Sequence, residues 1–130
     1  MKDTKRIPKW QNPNKKISYA GIHIVADFWF GSNIEDPRQI KNLLLGAAKE
    51  SLSTPLKVSI HKFSPQGITA IVLLAESHIA IHSWPEIHYL AVDIFTCGKN
   101  AKPNLALEHL RKAFQPKKVV VRQIKRGALK

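Results

Sequence analysis

Between residues 55 and 96 the chain offers four strand-like segments, and the links between them are no longer than four residues. PLKVSIHKF (55–63) sets Leu56, Val58 and Ile60 against Lys57, Ser59 and His61, the period-two pattern of a half-buried strand. ITAIVLLA (68–75) is nearly all apolar, as expected of a central strand covered on both faces. HIAIHSW (78–84) and YLAVDIFT (89–96) complete the set, joined through Pro85. SPQG (64–67) supplies a turn, with Pro65 suited to its first central position and Gly67 beyond. Such short links cannot carry the crossover that parallel neighbours need, so adjacent strands run antiparallel.

The flanks add two helices and two strands. YAGIHIVADFW (19–29) reads as a strand with Ile22, Ile24 and Ala26 on one face and His23, Val25 and Asp27 on the other. Asp36, Pro37 and Gln39 form a helix start, as N-cap, first helical residue and capping-box partner. Ile40, Leu43, Leu44 and Ala47 continue it at helical spacing, predicting a helix over 37–52. Lys102-Pro103-Asn104 opens a second helix with Leu107, Leu110 and Phe114 on one side, and KKVVVRQIK (117–125) is a last strand. The order β-α-β-β-β-β-α-β predicts an α+β fold: a two-layer sandwich, mostly antiparallel sheet with two helices on one face. The other face then needs cover, and a second copy of the chain supplies it, which predicts a homodimer.

At 130 residues the chain reads as one domain over 19–125, preceded by a basic flexible tail over 1–18. The net charge of +12 is uneven: +5 over residues 1–20, −2 over 21–98 and +9 over 99–130. Basic ends attract polyanions without reading sequence, and a solvated surface is the plainer reading. No apolar run reaches the roughly 18 residues of a membrane span, and the N-terminus lacks a signal-peptide core. The single cysteine, Cys97, fits a reducing cytoplasm.

Phosphate-loop, Cys-x-x-Cys and His-Glu-x-x-His patterns are absent. His78 and His82 share a strand face, but no third ligand is evident, so no metal is expected. A hydroxyl, a base and a thiol remain: Ser77, His82 and Cys97. Each has a plain structural reading, as a strand-end serine, a core histidine and a small turn residue before Gly98. Sequence alone gives no hydrogen-bond reach between them.

AESHIAIHSWPE followed by AVDIFTCG is similar to the signature of the short, prokaryotic-type, pyruvoyl-dependent S-adenosylmethionine decarboxylases. The resemblance runs from Gly21 to Val121 and includes Gly21, His23 and Phe28 at the start, then His61 and Phe63. Spacings agree as well: five residues from Ser77 to His82 and twenty from Ser77 to Cys97.

The resemblance implies a proenzyme that cuts itself between Glu76 and Ser77 into 1–76 and 77–130. The Ser77 hydroxyl would attack the preceding carbonyl and turn the amide into an ester. β-Elimination, with His82 as proton acceptor, would leave a pyruvoyl group at position 77 as the built-in cofactor. The substrate amine forms a Schiff base there, and Cys97 is the proton donor after loss of CO2. Thr69 stands where relatives often carry a processing serine, and His88 where they often have glycine. Phe63 matches an aromatic that stacks on adenine, and Glu86 a carboxylate that binds the ribose.

The implied activity makes decarboxylated S-adenosylmethionine, the aminopropyl donor for spermidine synthesis. Arginine or ornithine decarboxylation is the alternative on the same fold, and Phe63 and Glu86 favour S-adenosylmethionine. Substrates of both kinds are small and cationic, compatible with the net −2 middle; the basic ends should lie away from the pocket. Neither membrane nor nucleic acid is required, and the active sites are implied to lie at the dimer interface. A basic nucleic-acid-binding module that never cleaves is a remote alternative. One geometric demand follows from the odd spacing of Ser77 and His82: an unbroken strand points them to opposite faces. For His82 to serve Ser77, the chain must bend or turn near residues 76–78; a straight strand with the two side chains diverging counts against His82 as the base.

Overall fold

The computed structural model describes residues 19–98 and 100–129. Strand β1 (Gly21–Trp29) leads into helix α1 (Pro37–Glu50). Strands β2 (Pro55–Lys62), β3 (Ile68–Leu74), β4 (Ser77–Trp84) and β5 (Tyr89–Cys97) follow, with a 3-10 turn at Pro85–Ile87 before β5. Helix α2 (Pro103–Phe114) and strand β6 (Lys118–Arg126) close the fold. The expected element order is therefore met. The proposed tail over 1–18 lies outside the described residues.

The six strands form one sheet in the order β2-β3-β4-β5-β1-β6, and every neighbouring pair is antiparallel. This order makes β1 parallel to β2 and β5 parallel to β6, each pair joined by a helical crossover. The second crossover reverses both the strand direction and the lateral step of the first. Two crossovers of the usual right hand then lay both helices on the same sheet face. The helices pack on each other there, closely enough that a Cβ at Gly46 would stand 2.4 Å from His109 Nε2.

Alternation decides what each face carries. Ile24, Ala26 and Phe28 of β1, Val72 of β3, Ile79 and Ile81 of β4 and Val92 and Ile94 of β5 face the helices and are buried. They meet Ile40, Leu44 and Ala47 of α1 and Leu107, Leu110 and Phe114 of α2. Asp36 caps α1 as expected, its carboxylate accepting from Gln39 N at 3.2 Å, with Pro37 in the first turn. Phe28 is 2% exposed at the centre of this layer. Phe28→Ala should cost about 3–5 kcal/mol, a large share of a domain's total of about 5–15. The urea midpoint should drop at unchanged slope; a midpoint within error of wild type would contradict the packing.

No described element covers the opposite face. Leu73, Trp84, Val120 and Ile124 lie exposed on it. The loop between β2 and β3 differs from the expected simple proline turn: the Ser64–Pro65 bond is cis, and Phe63 N donates to Gly67 O at 2.9 Å. His88 follows the 3-10 turn in the left-handed conformation, φ 56° and ψ 41°, the conformation glycine adopts most readily.

Candidate active site

Glu76 and Ser77 sit where β3 turns into β4, with Leu74 paired to Ser77 across a two-residue turn. The Glu76 carboxylate is pinned from the side, accepting from Thr54 N at 2.9 Å and Thr54 Oγ1 at 3.2 Å. The Glu76 carbonyl accepts from the Cys97 thiol at 3.1 Å. Burial pushes the Cys97 thiol above its usual pKa, and the nearby Glu76 charge adds to the shift. Cys97 is therefore a protonated donor at neutral pH.

Ser77 has φ 151°, a backbone region nearly reserved for glycine. Its Oγ lies 3.3 Å from His78 Nδ1. The other ring nitrogen of His78, Nε2, donates to Asp93 Oδ2 at 2.9 Å. Asp93 Oδ1 accepts from His23 Nε2, and Arg126 Nη1 donates to His23 Nδ1 at 3.2 Å. Phe95 floors the cluster, its ring stacked on His23 at 5.1 Å and its face under the Arg126 guanidinium. Burial alone would push the Asp93 carboxyl up, but hydrogen bonds from His78 and His23, with their charge when protonated, outweigh it and lower the pKa. His23, His78 and Asp93 are also three potential metal ligands within 4.8 Å of one another. Their geometry is that of hydrogen bonds: each Nε2 is turned on the carboxylate as a donor. Arg126 brings the C-terminal basic segment to this cluster, so that end does not lie wholly away from the site as expected.

The other candidate residues gather at the opposite end of the strands. His82 Nδ1 pairs with Thr69 Oγ1 at 3.2 Å across β4 and β3. Beyond them, Phe63 is exposed and stands edge-on to His61, with ring centroids 4.5 Å apart. Glu86 is exposed in the 3-10 turn that ends β4. Trp84, Tyr89 and Trp29 stack in a row across the same end. The Tyr89 hydroxyl donates to Asp27, and burial followed by that bond and charge pushes its pKa up to about 12.

Strand β4 is unbroken from Ser77 to Trp84 and keeps its register with β3 and β5 throughout. Five residues of strand separate Ser77 from His82 by roughly 16 Å. The bend needed to join them within one chain is absent. The candidate residues of a single chain thus fall into two groups: Glu76, Ser77 and Cys97 at one end, and Thr69, His82, Phe63 and Glu86 at the other. The sequence reading did not bring His78, Asp93 and His23 together as a cluster beside Ser77. Asp93 and His23 lie 15 and 70 positions from their partners, so only strand register brings them together. The available signal was alternation, which already set His23 on the polar face of β1.

The family model described as S-adenosylmethionine decarboxylase matches residues 22–127. An S-adenosylmethionine decarboxylase proenzyme of Methanococcus maripaludis strain C5 is 41% identical over 115 residues, covering 87% of this chain and 94% of that protein. One from Acidithiobacillus ferrooxidans is 43% identical over 109 residues, covering 82% of each. The crystal structure of the adenosylmethionine decarboxylase from Aquifex aeolicus superposes with a TM-score of 0.80 at 34% identity, covering 88% of this chain and 96% of that one. A two-layer α+β decarboxylase fold is thus shared across most of the chain. The chain belongs to the S-adenosylmethionine decarboxylase family.

Proposed function

We propose that this chain is the precursor of a pyruvoyl-dependent S-adenosylmethionine decarboxylase that cuts its own Glu76–Ser77 bond and works as a homodimer. The observation that carries this reading is the Cys97 thiol donating at 3.1 Å to the carbonyl of that one bond, beside a serine held at φ 151°. A donor on the carbonyl stabilises the charge that develops when the serine oxygen adds to it. A positive φ at a non-glycine residue stores on the order of 1–3 kcal/mol, here next to the bond to be broken. Ser77 suits the group because its Cβ carries an oxygen that can leave; alanine has none.

The pyruvoyl carbonyl would supply an electrophile for the substrate amine and a sink for the electrons released with CO2. Around it, Cys97 has the protonation state required to return a proton to the substrate α-carbon. Phe63 offers an exposed aromatic face for adenine and Glu86 an acceptor for ribose hydroxyls. His82, oriented by Thr69, takes the Ser77 Cα proton during elimination, and it does so in the partner's site. Two facts support the dimer. The half-sites lie at opposite ends of one sheet, and the uncovered face exposes Leu73, Trp84, Val120 and Ile124. A two-fold axis lying along that face and across the strands would bring one chain's Ser77 end to the other chain's His82 end. Among the described residues no helix is long and apolar enough to cross a membrane. A reducing cytoplasm suits a mechanism that depends on a free thiol.

Carbon dioxide release from S-adenosylmethionine, arginine and ornithine tests the substrate. Turnover of S-adenosylmethionine is expected, and turnover of a basic amino acid instead would overturn the assignment. Cys97→Ala should still cleave, more slowly than wild type, while decarboxylation falls ~100-fold or more. Unchanged decarboxylation would remove Cys97 from the chemistry.

A further inference from the structure

We propose that His78, held by Asp93, is the base that takes the hydroxyl proton of Ser77 in the first step of self-cleavage. This rests on the self-cleavage reading above and gives that reading a second base. Cleavage removes two protons from different atoms: one from Ser77 Oγ at the acyl shift, one from Ser77 Cα at the elimination. Within its own chain, His82 lies roughly 16 Å along the strand from Ser77. His78 is in contact with the hydroxyl, its Nδ1 3.3 Å from Oγ.

The ring's other side fixes its chemistry. Asp93 Oδ2 accepts from His78 Nε2 at 2.9 Å, so the neutral ring carries its hydrogen there and Nδ1 keeps a lone pair facing the serine. Serine, imidazole and carboxylate stand in the order of a hydrolase triad, with the ring nitrogens exchanged. His23 Nε2 holds the other carboxylate oxygen and is itself bonded through Nδ1 to Arg126, so Asp93 cannot swing away without breaking its contacts with both His23 and His78. The unusual φ of Ser77 is what aims Oγ at this ring, since regular alternation would turn it toward the helices.

In the step, His78 Nδ1 takes the proton as Oγ bonds the Glu76 carbonyl carbon, whose oxygen the Cys97 thiol supports. The carbon–nitrogen bond then breaks and His78 returns the proton to the freed amine of Ser77. An ester replaces the amide with no atom gained or lost. His78 is a catalytic residue of this step; Asp93 and His23 are positioning residues.

Hydroxylamine separates the two bases, because it cleaves esters and spares amides. His82→Ala should stall at the ester, so hydroxylamine releases the pieces. His78→Ala, verified as folded by its circular dichroism melt, should cleave ~100-fold more slowly or worse. It should stay intact in hydroxylamine, and added imidazole should restore part of the rate. Asp93→Asn should slow the same step and likewise leave a hydroxylamine-resistant chain. Should the alanine variant fail to fold, His78→Gln is read in the same way. His78 variants that cleave at the wild-type rate, or that hydroxylamine cuts as readily as His82→Ala, would overturn the proposal. A wild-type chain that never cleaves would instead overturn the self-cleavage reading on which it rests.

Discussion

Ser77→Ala is expected to remain a single 130-residue chain after any length of incubation, with no measurable decarboxylation. Alanine lacks the oxygen that attacks the Glu76 carbonyl and the leaving group that elimination needs. Both losses are absolute, so the effect is complete rather than graded. The fold should survive, because Ser77 is half-buried at the end of a strand and contributes no core side chain. Its thermal melt should therefore match that of an uncleaved His82→Ala chain. A Ser77→Ala chain that cut at position 76 would contradict the chemistry assigned to the serine.

The second large effect concerns two chains at once. Ser77→Ala and His82→Ala should each stay uncut as homodimers, one for want of the nucleophile and the other stalled before elimination. Mixed dimers of the two contain one complete site. It joins Ser77 and Cys97 of the His82→Ala chain to Thr69 and His82 of the Ser77→Ala chain. Within those mixed dimers the His82→Ala chain should be cut at close to the wild-type rate, a recovery of ~100-fold or more over its homodimer. Separately tagged chains, purified by both tags and weighed by mass spectrometry, read the result. Mixed dimers in which neither chain is cut would contradict the shared site and require a bend in β4 that the structure lacks.

The architecture was legible because its signals are local. Period-two and helical spacings marked the elements, and links of at most four residues forced the antiparallel arrangement of β2 to β5. Asp36-Pro37 marked the helix start through capping chemistry that acts within three residues. The parity of Ser77 and His82 was legible too, and it stated in advance the conflict that the unbroken β4 presents.

What depends on register was not legible. Nothing in AVDIFTCG says that Asp93 lies beside His78 and His23, because that follows from how β4, β5 and β1 slide against one another. The departure of Ser77 from regular strand geometry was equally hidden. The division of the candidate residues between two ends of the sheet emerges only when the meander is folded. Thr69 and His82 then oppose each other directly, while Cys97 turns back to the Glu76 carbonyl. The role of Arg126 beside His23 ran against the charge pattern, since net charge over a segment carries no information about where one guanidinium ends up.

The Glu76–Ser77 bond is expected to be broken by the protein that contains it. Intact-mass measurement of the purified wild-type chain tests this most directly. Two pieces are expected, of 76 and 54 residues, the second beginning in a pyruvoyl group that blocks sequencing from its N-terminus. A single full-length chain after prolonged incubation, with Ser77 still a serine, would contradict it.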